Sequence, residues 1–254
     1  MKLTVLGSGT SVLHPKRSSS GFWIDTSGGS VLLDCSASAP LRMAQEGLDW
    51  SNLDAIWISH FHLDHCGGLA PFLFGTKYSP QTQDRRKPLR IFGPAGLRRL
   101  IERLDAVNEY GLLKQPFPVE TVEVETLDRF RIADGVEAAA LKTPHTEESM
   151  AIHLRDGAAA LVYSADTGPS QPLAAFASQT DLFVLECSFV ANKPVEKHIE
   201  LAEAIYMIRK AKPKRAMLTH LYPEWDEVNF VEELKRYEPM CEVIEAVDGL
   251  RLNI

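Results

Sequence analysis

A short apolar run at 54–59, Asp-Ala-Ile-Trp-Ile-Ser, ends in His60-Phe61-His62-Leu63-Asp64-His65. Three imidazoles and a carboxylate crowd into those six positions. Chance yields such a spaced pattern about 4 × 10⁻⁴ times in a chain of this composition. The run reads as a buried strand that delivers ligand-type side chains to a rim. In extended backbone, His60 and His62 project to one side and reach one metal. A turn after Leu63 sends Asp64 and His65 elsewhere, where they serve a second metal. Cys66-Gly67-Gly68 permits that turn to enter a helix N-terminus. Imidazole nitrogen and carboxylate oxygen are the zinc and iron ligands of catalytic sites.

Three further strand ends add to the pattern. His145 follows a strand in Thr-Pro-His-Thr, Asp166 another in Tyr-Ser-Ala-Asp-Thr-Gly, and His220 a third in Met-Leu-Thr-His. A lone histidine after a strand is usually structural. Together these complete the donors for two metals. The strands come in groups, at 2–6, 21–25 and 30–34, then 119–125, 129–132, 137–142, 151–155 and 159–164. Helical patterns intervene at 40–47, 67–77, 94–108, 171–177, 198–211 and 227–237. Grouped strands do not fit a doubly wound sheet. They predict an α/β, four-layer αββα sandwich with two mixed sheets face to face.

No linker or repeat divides the 254 residues, so 1–254 is expected to form a single domain. No apolar run approaches a membrane span, and the apolar start is too short for a signal peptide. The formal charge of −7 lacks the basic signature of proteins that grip phosphate backbones, so a large nucleic acid is not the expected partner. The four cysteines are scattered, which excludes a zinc ribbon and points to a reduced, cytoplasmic setting.

The order His60-x-His62-x-Asp64-His65, His145, Asp166, His220 resembles the metallo-β-lactamase superfamily over essentially the whole chain. The resemblance implies that one metal takes His60, His62 and His145. A second takes Asp64, His65 and His220, and Asp166 bridges the two. Asp34, in Val-Leu-Leu-Asp-Cys, is implied to support the ligand loop. The bridging ligand is not cysteine, which argues against antibiotic hydrolysis. Within the superfamily, Leu-Gly-Ser-Gly-Thr-Ser at 6–11 and Leu-Glu-Cys-Ser-Phe at 185–189 are similar to ribonuclease Z and related phosphodiesterases. There the counterparts of Glu186 and His198 form a proton-transfer pair. His145 and Asp166 stand only 21 positions apart, which leaves no room for the long basic arm that holds tRNA.

The resemblance thus implies a metal-dependent hydrolase with two divalent ions, zinc foremost and manganese or iron as alternatives. Asp64, His198 and Glu186 are its catalytic residues. Its substrates are phosphodiesters, cyclic nucleotides or short RNA-like molecules. A lactone or carboxylic ester hydrolase, ribonuclease Z proper and a non-catalytic metal carrier are the alternatives. Relatives imply a homodimer. His14 reads as loop, His153 as a strand residue, and Arg85-Arg86-Lys87 as a solvated loop.

Overall fold

A computed structural model describes residues 1–254. Fourteen strands form two seven-stranded sheets. The first has the order β14-β1-β2-β3-β4-β5-β6. Its members are β1 (Lys2–Gly7), β2 (Gly21–Thr26), β3 (Gly29–Leu33), β4 (Ala55–Trp57), β5 (Leu89–Pro94), β6 (Val119–Val124) and β14 (Arg251–Asn253). The second has the order β13-β12-β11-β10-β9-β8-β7. It comprises β7 (Arg129–Ala133), β8 (Val136–Lys142), β9 (Met150–Asp156), β10 (Ala159–Tyr163), β11 (Leu182–Glu186), β12 (Arg215–Thr219) and β13 (Glu242–Glu245).

Each sheet is antiparallel in one half and parallel in the other. β3 to β6 run parallel, as do β10 to β13. The alternation of each strand explains the layering. Leu3, Val5, Ile24 and Trp57 meet Ile132, Ile152, Leu161 and Val184 in one core between the sheets. The opposite faces pack on helices. α1 (Ala39–Gln45), α3 (Leu69–Tyr78) and α4 (Leu97–Ala106) cover the first sheet. α5 (Gln171–Phe176), α6 (Leu201–Ala211) and α7 (Phe230–Lys235) cover the second. This is the four-layer αββα sandwich expected from the grouped strands. All four cysteines are free.

Several element boundaries depart from the sequence reading. Pro94 closes β5 and does not open a helix; α4 starts at Leu97, after Gly96 turns the chain at φ 99°. The ligand loop enters its helix early: α2 (Leu63–Cys66) already carries Asp64 and His65, and α3 follows separately. α6 starts at Leu201, where Glu200 and Glu203 form a reciprocal capping box, so His198 lies in the loop before it. Residues 227–237 hold the six-residue α7, preceded by a short 3₁₀ turn at Pro223–Glu227. Arg85 is not solvated. It is 7% exposed, and its guanidinium donates to the carbonyls of Ser51, Leu53, Lys87 and Pro88, stitching a loop whose polarity had suggested exposure.

Candidate metal centre

The parallel strands carry the site at their C-terminal ends, where open α/β sheets bind ligands. Asp34 follows β3, His60 lies three residues beyond β4, Asp166 follows β10, Glu186 ends β11 and His220 follows β12. His145 lies between β8 and β9. Three of the residues there have left-handed backbone although none is glycine: Asp34 (φ 59°), Ala165 (φ 51°) and His220 (φ 57°). Such strain costs on the order of 1–3 kcal/mol each and clusters at functional sites.

All seven residues expected as ligands converge. His60, His62, His145 and Asp166 present ligand atoms within 4.8 Å of one another, as do Asp64, His65 and His220. Asp166 sits between the two sets. Its Oδ2 is 3.7 Å from His60 Nε2, 3.6 Å from His145 Nε2 and 3.4 Å from His220 Nε2. Its Oδ1 is 3.1 Å from His65 Nε2. His62 Nδ1 lies 3.2 Å from His145 Nε2. His198 forms a further cluster with Asp166 and His220, and its ring stacks on His220 at 5.3 Å.

The outward-facing ring nitrogens are anchored. His65 Nδ1 donates to Asp34 Oδ2 at 2.7 Å, and His145 Nδ1 to the Lys197 carbonyl at 2.9 Å. His60 Nδ1 meets Ser59 Oγ at 3.0 Å, and His220 Nδ1 meets Ser188 Oγ at 3.0 Å. These partners turn each Nε2 lone pair into the cluster, the usual arrangement around metal-binding histidines. Asp34 collects the most. Its carboxylate also accepts Ser59 N–H, Ser59 Oγ–H and the Tyr163 hydroxyl, each at 2.8 Å.

The donor set fits divalent cations. His60 Nε2, His65 Nε2 and Asp166 Oδ1 are buried without a hydrogen-bond partner. His65 Nε2 and Asp166 Oδ1 are close but not in hydrogen-bonding geometry. Buried polar atoms seldom stay unsatisfied, and lone pairs aimed at a common space are what a cation requires. Burial, with the neighbouring His65, pushes the His60 imidazole down to about 2. It therefore stays neutral, the form that ligates metal.

Glu186 and His198 are also together. Glu186, fully buried, accepts His198 Nδ1–H at 3.0 Å and Thr167 N–H at 2.6 Å on Oε1. Its Oε2 accepts Ser188 Oγ–H at 2.8 Å and Ile199 N–H at 3.3 Å. Burial disfavours a charged imidazole here, but the Glu186 carboxylate outweighs it and holds His198 above its ordinary range. Sequence reasoning missed the roles of Ser59, Ser188 and Tyr163. Their signal was position alone: Ser59 precedes His60, and Ser188 follows Glu186 by two. His14 pairs with Asp226 in a loop, and His153 packs on Phe176 from β9, both away from this cluster.

A family model described as Anti-Pycsar protein Apyc1 matches residues 1–238. The chain belongs to that family. Similar proteins match over nearly the whole chain. Ribonuclease Z of Clostridium acetobutylicum is 26% identical over 89% of this chain and 90% of its own. The crystal structure of the metallo-β-lactamase fold protein YhfI from Bacillus subtilis superposes with a TM-score of 0.82, at 22% identity over 99% of this chain and 98% of that one. A diphosphatase of the PhnP family superposes with a TM-score of 0.72, at 23% identity over 100% of this chain and 97% of that one. This Apyc1-family chain is thus a metallo-hydrolase of the metallo-β-lactamase fold, in its ribonuclease Z-like branch. No helix is long and apolar enough to cross a membrane.

Proposed function

We propose that the chain hydrolyses phosphodiester bonds of small substrates, cyclic nucleotides or short RNA-like molecules, with two divalent ions, zinc foremost. His60, His62 and His145 would hold one ion and Asp64, His65 and His220 the other, with Asp166 between the two sets. When bound, such a pair supplies Lewis acidity toward phosphoryl oxygens and lowers the pKa of water.

The chain's own residues do the rest. Asp64, 9% exposed at its side chain, borders the cluster with Oδ2 3.4 Å from His220 Nε2. It orients the attacking water and accepts its proton. Glu186 fixes the His198 ring through Nδ1, so Nε2 carries the proton that passes to the leaving oxygen. The Glu186–His198 pair carries this reading. An alkoxide leaving group needs a proton donor, whereas a phenolate or enolate needs one less. The chemistry of a phosphodiester therefore explains why a buried carboxylate is set against an imidazole beside the ligands and raises its pKa. The named relatives, a ribonuclease and a diphosphatase, also act at phosphorus. The short β9–β10 hairpin, which joins Asp156 to Ala159, supports a small substrate and not a tRNA body.

The test is a screen of metal-loaded protein against cyclic nucleotides, bis(p-nitrophenyl) phosphate, lactones and thioesters. Turnover of the phosphodiesters above the others is expected. Preferential lactone turnover would replace this reading with ester hydrolysis, and no turnover of any would favour a metal carrier.

A further inference from the structure

The outer face of β8 and β9 is covered at one end, where Leu141 and Ala151 join the core beneath the helices, and beyond them the outward residues of β7, β8 and β9 bear no helix. Beside it, α5 contributes Phe176, whose ring meets His153 at 5.6 Å. Alternation sends Phe130, Ile132, Ala138 and Ile152 into the core between the sheets. It sends Arg129, Arg131, Glu137, Ala139, His153 and Arg155 outward. The register aligns them in two rows: Arg129, Ala139 and His153, then Arg131, Glu137 and Arg155. Ala139 is the short member, so long side chains stand around a low floor. The result is a hollow of about 710 Å³, with Leu127 and Phe176 at its margins.

Its charge contrasts with the acidic chain around it. Arg17, Arg42, Arg98, Arg236 and Arg251 each have a carboxylate within ion-pair distance. Arg129, Arg131 and Arg155 have none, as is also true of Arg99 and Arg103; what sets these three apart is that they line one hollow together, with guanidiniums that make no hydrogen bond within the chain. Glu137 is the one carboxylate lining it. His153 Nε2 is buried without a partner. Leu127, 69% exposed with backbone at φ 69°, holds an apolar side chain in water at the rim. Arg129 and Arg131 lie about 7 Å apart along one strand, and Arg155 about 10 Å away across two strand spacings. Their flexible stems reach the space above Ala139. Guanidinium forks match phosphate oxygens in bidentate geometry. The volume falls within the range of small-molecule sites.

We propose that this hollow binds a small phosphate monoester, at a site separate from the metal centre. The arginines hold the phosphate, and Leu127 and Phe176 flank its organic part. The volume and the trio of cations around it favour a small anion over an acidic protein segment.

The probe is phenyl phosphate, followed by isothermal titration. Because the metal centre also attracts phosphate, the titration uses both the metal-loaded protein and its His60→Ala/His62→Ala variant. That variant is expected to keep one phenyl phosphate site per chain, weakened by added salt. Arg131→Glu with Arg155→Glu should weaken this site by about tenfold or more, given the strength of charge-assisted contacts. Arg131→Gln with Arg155→Gln gives the same test without charge reversal. Both should hydrolyse bis(p-nitrophenyl) phosphate at the parent rate. Loss of all phenyl phosphate binding in the metal-centre variant would overturn the proposal. So would binding unchanged by either arginine pair, or a polyglutamate peptide that binds there more tightly than phenyl phosphate.

Discussion

Asp34→Asn isolates what holds the ligand loop. The Asp34 carboxylate accepts Ser59 N–H on Oδ1, and Ser59 Oγ–H, His65 Nδ1–H and Tyr163 O–H on Oδ2. Asparagine has one acceptor oxygen, so its amide nitrogen must face a donor. The cheaper orientation keeps the oxygen in the Oδ2 position and opposes only Ser59 N–H. Leaving that buried donor unsatisfied costs about 1–3 kcal/mol. The three remaining bonds change from charge-assisted to neutral, at roughly 1 kcal/mol apiece. The sum is about 4–6 kcal/mol, or a fall in Tm of roughly 8–24 °C for a chain of this size. Backbone strain does not confuse the comparison: Asp34 sits at φ 59°, which asparagine tolerates equally well. Tyr163→Phe removes one donor of the four and should cost only about 1–2 kcal/mol. Guanidinium unfolding of both variants in the presence of chelator measures these values without bound metal. Metal titration of Asp34→Asn should show affinity lower by about 10–100-fold. An asparagine variant within about 0.5 kcal/mol of the parent, with unchanged metal affinity, would refute the reasoning, because additivity errors are no larger than that.

Other outcomes follow from the same geometry. A Cβ at Gly68 would lie 2.0 Å from the Ser36 carbonyl oxygen, so Gly68→Ala must displace backbone beside Asp34. It should cost about 1–3 kcal/mol and weaken metal binding, whereas Gly75→Ala on the open face of α3 should gain about 0.5–1 kcal/mol in the same unfolding assay. His198→Ala should leave metal content intact. It should slow phosphodiesters with poor leaving groups by about 10²–10⁴-fold and activated nitrophenyl esters much less. Equal losses on both, measured as kcat, would remove His198 as the proton donor.

The ligand cluster was legible because its logic is local. An apolar strand followed by His60-x-His62-x-Asp64-His65 needs only strand alternation and a turn to place its side chains. The convergence of His145, Asp166 and His220 followed from their shared position after strands. The resemblance supplied Asp34, Glu186 and His198. What escaped was set by contacts distant in sequence. Nothing local marks Ser188 as the hydroxyl between Glu186 and His220. Left-handed backbone at Asp34, Ala165 and His220 is imposed by the converging site, not by residue type. Arg85 read as solvated because its partners are backbone carbonyls, which composition cannot display. His198 fell outside its expected helix because the Glu200–Glu203 capping box starts α6 later.

In the function proposed above, this cluster acts with two ions. Metal-stripped protein titrated with zinc, while the initial rate of bis(p-nitrophenyl) phosphate hydrolysis is followed, tests it directly. The rate should rise from background and break at two equivalents per chain. A break at one equivalent, or undiminished activity in the stripped protein, would contradict the account.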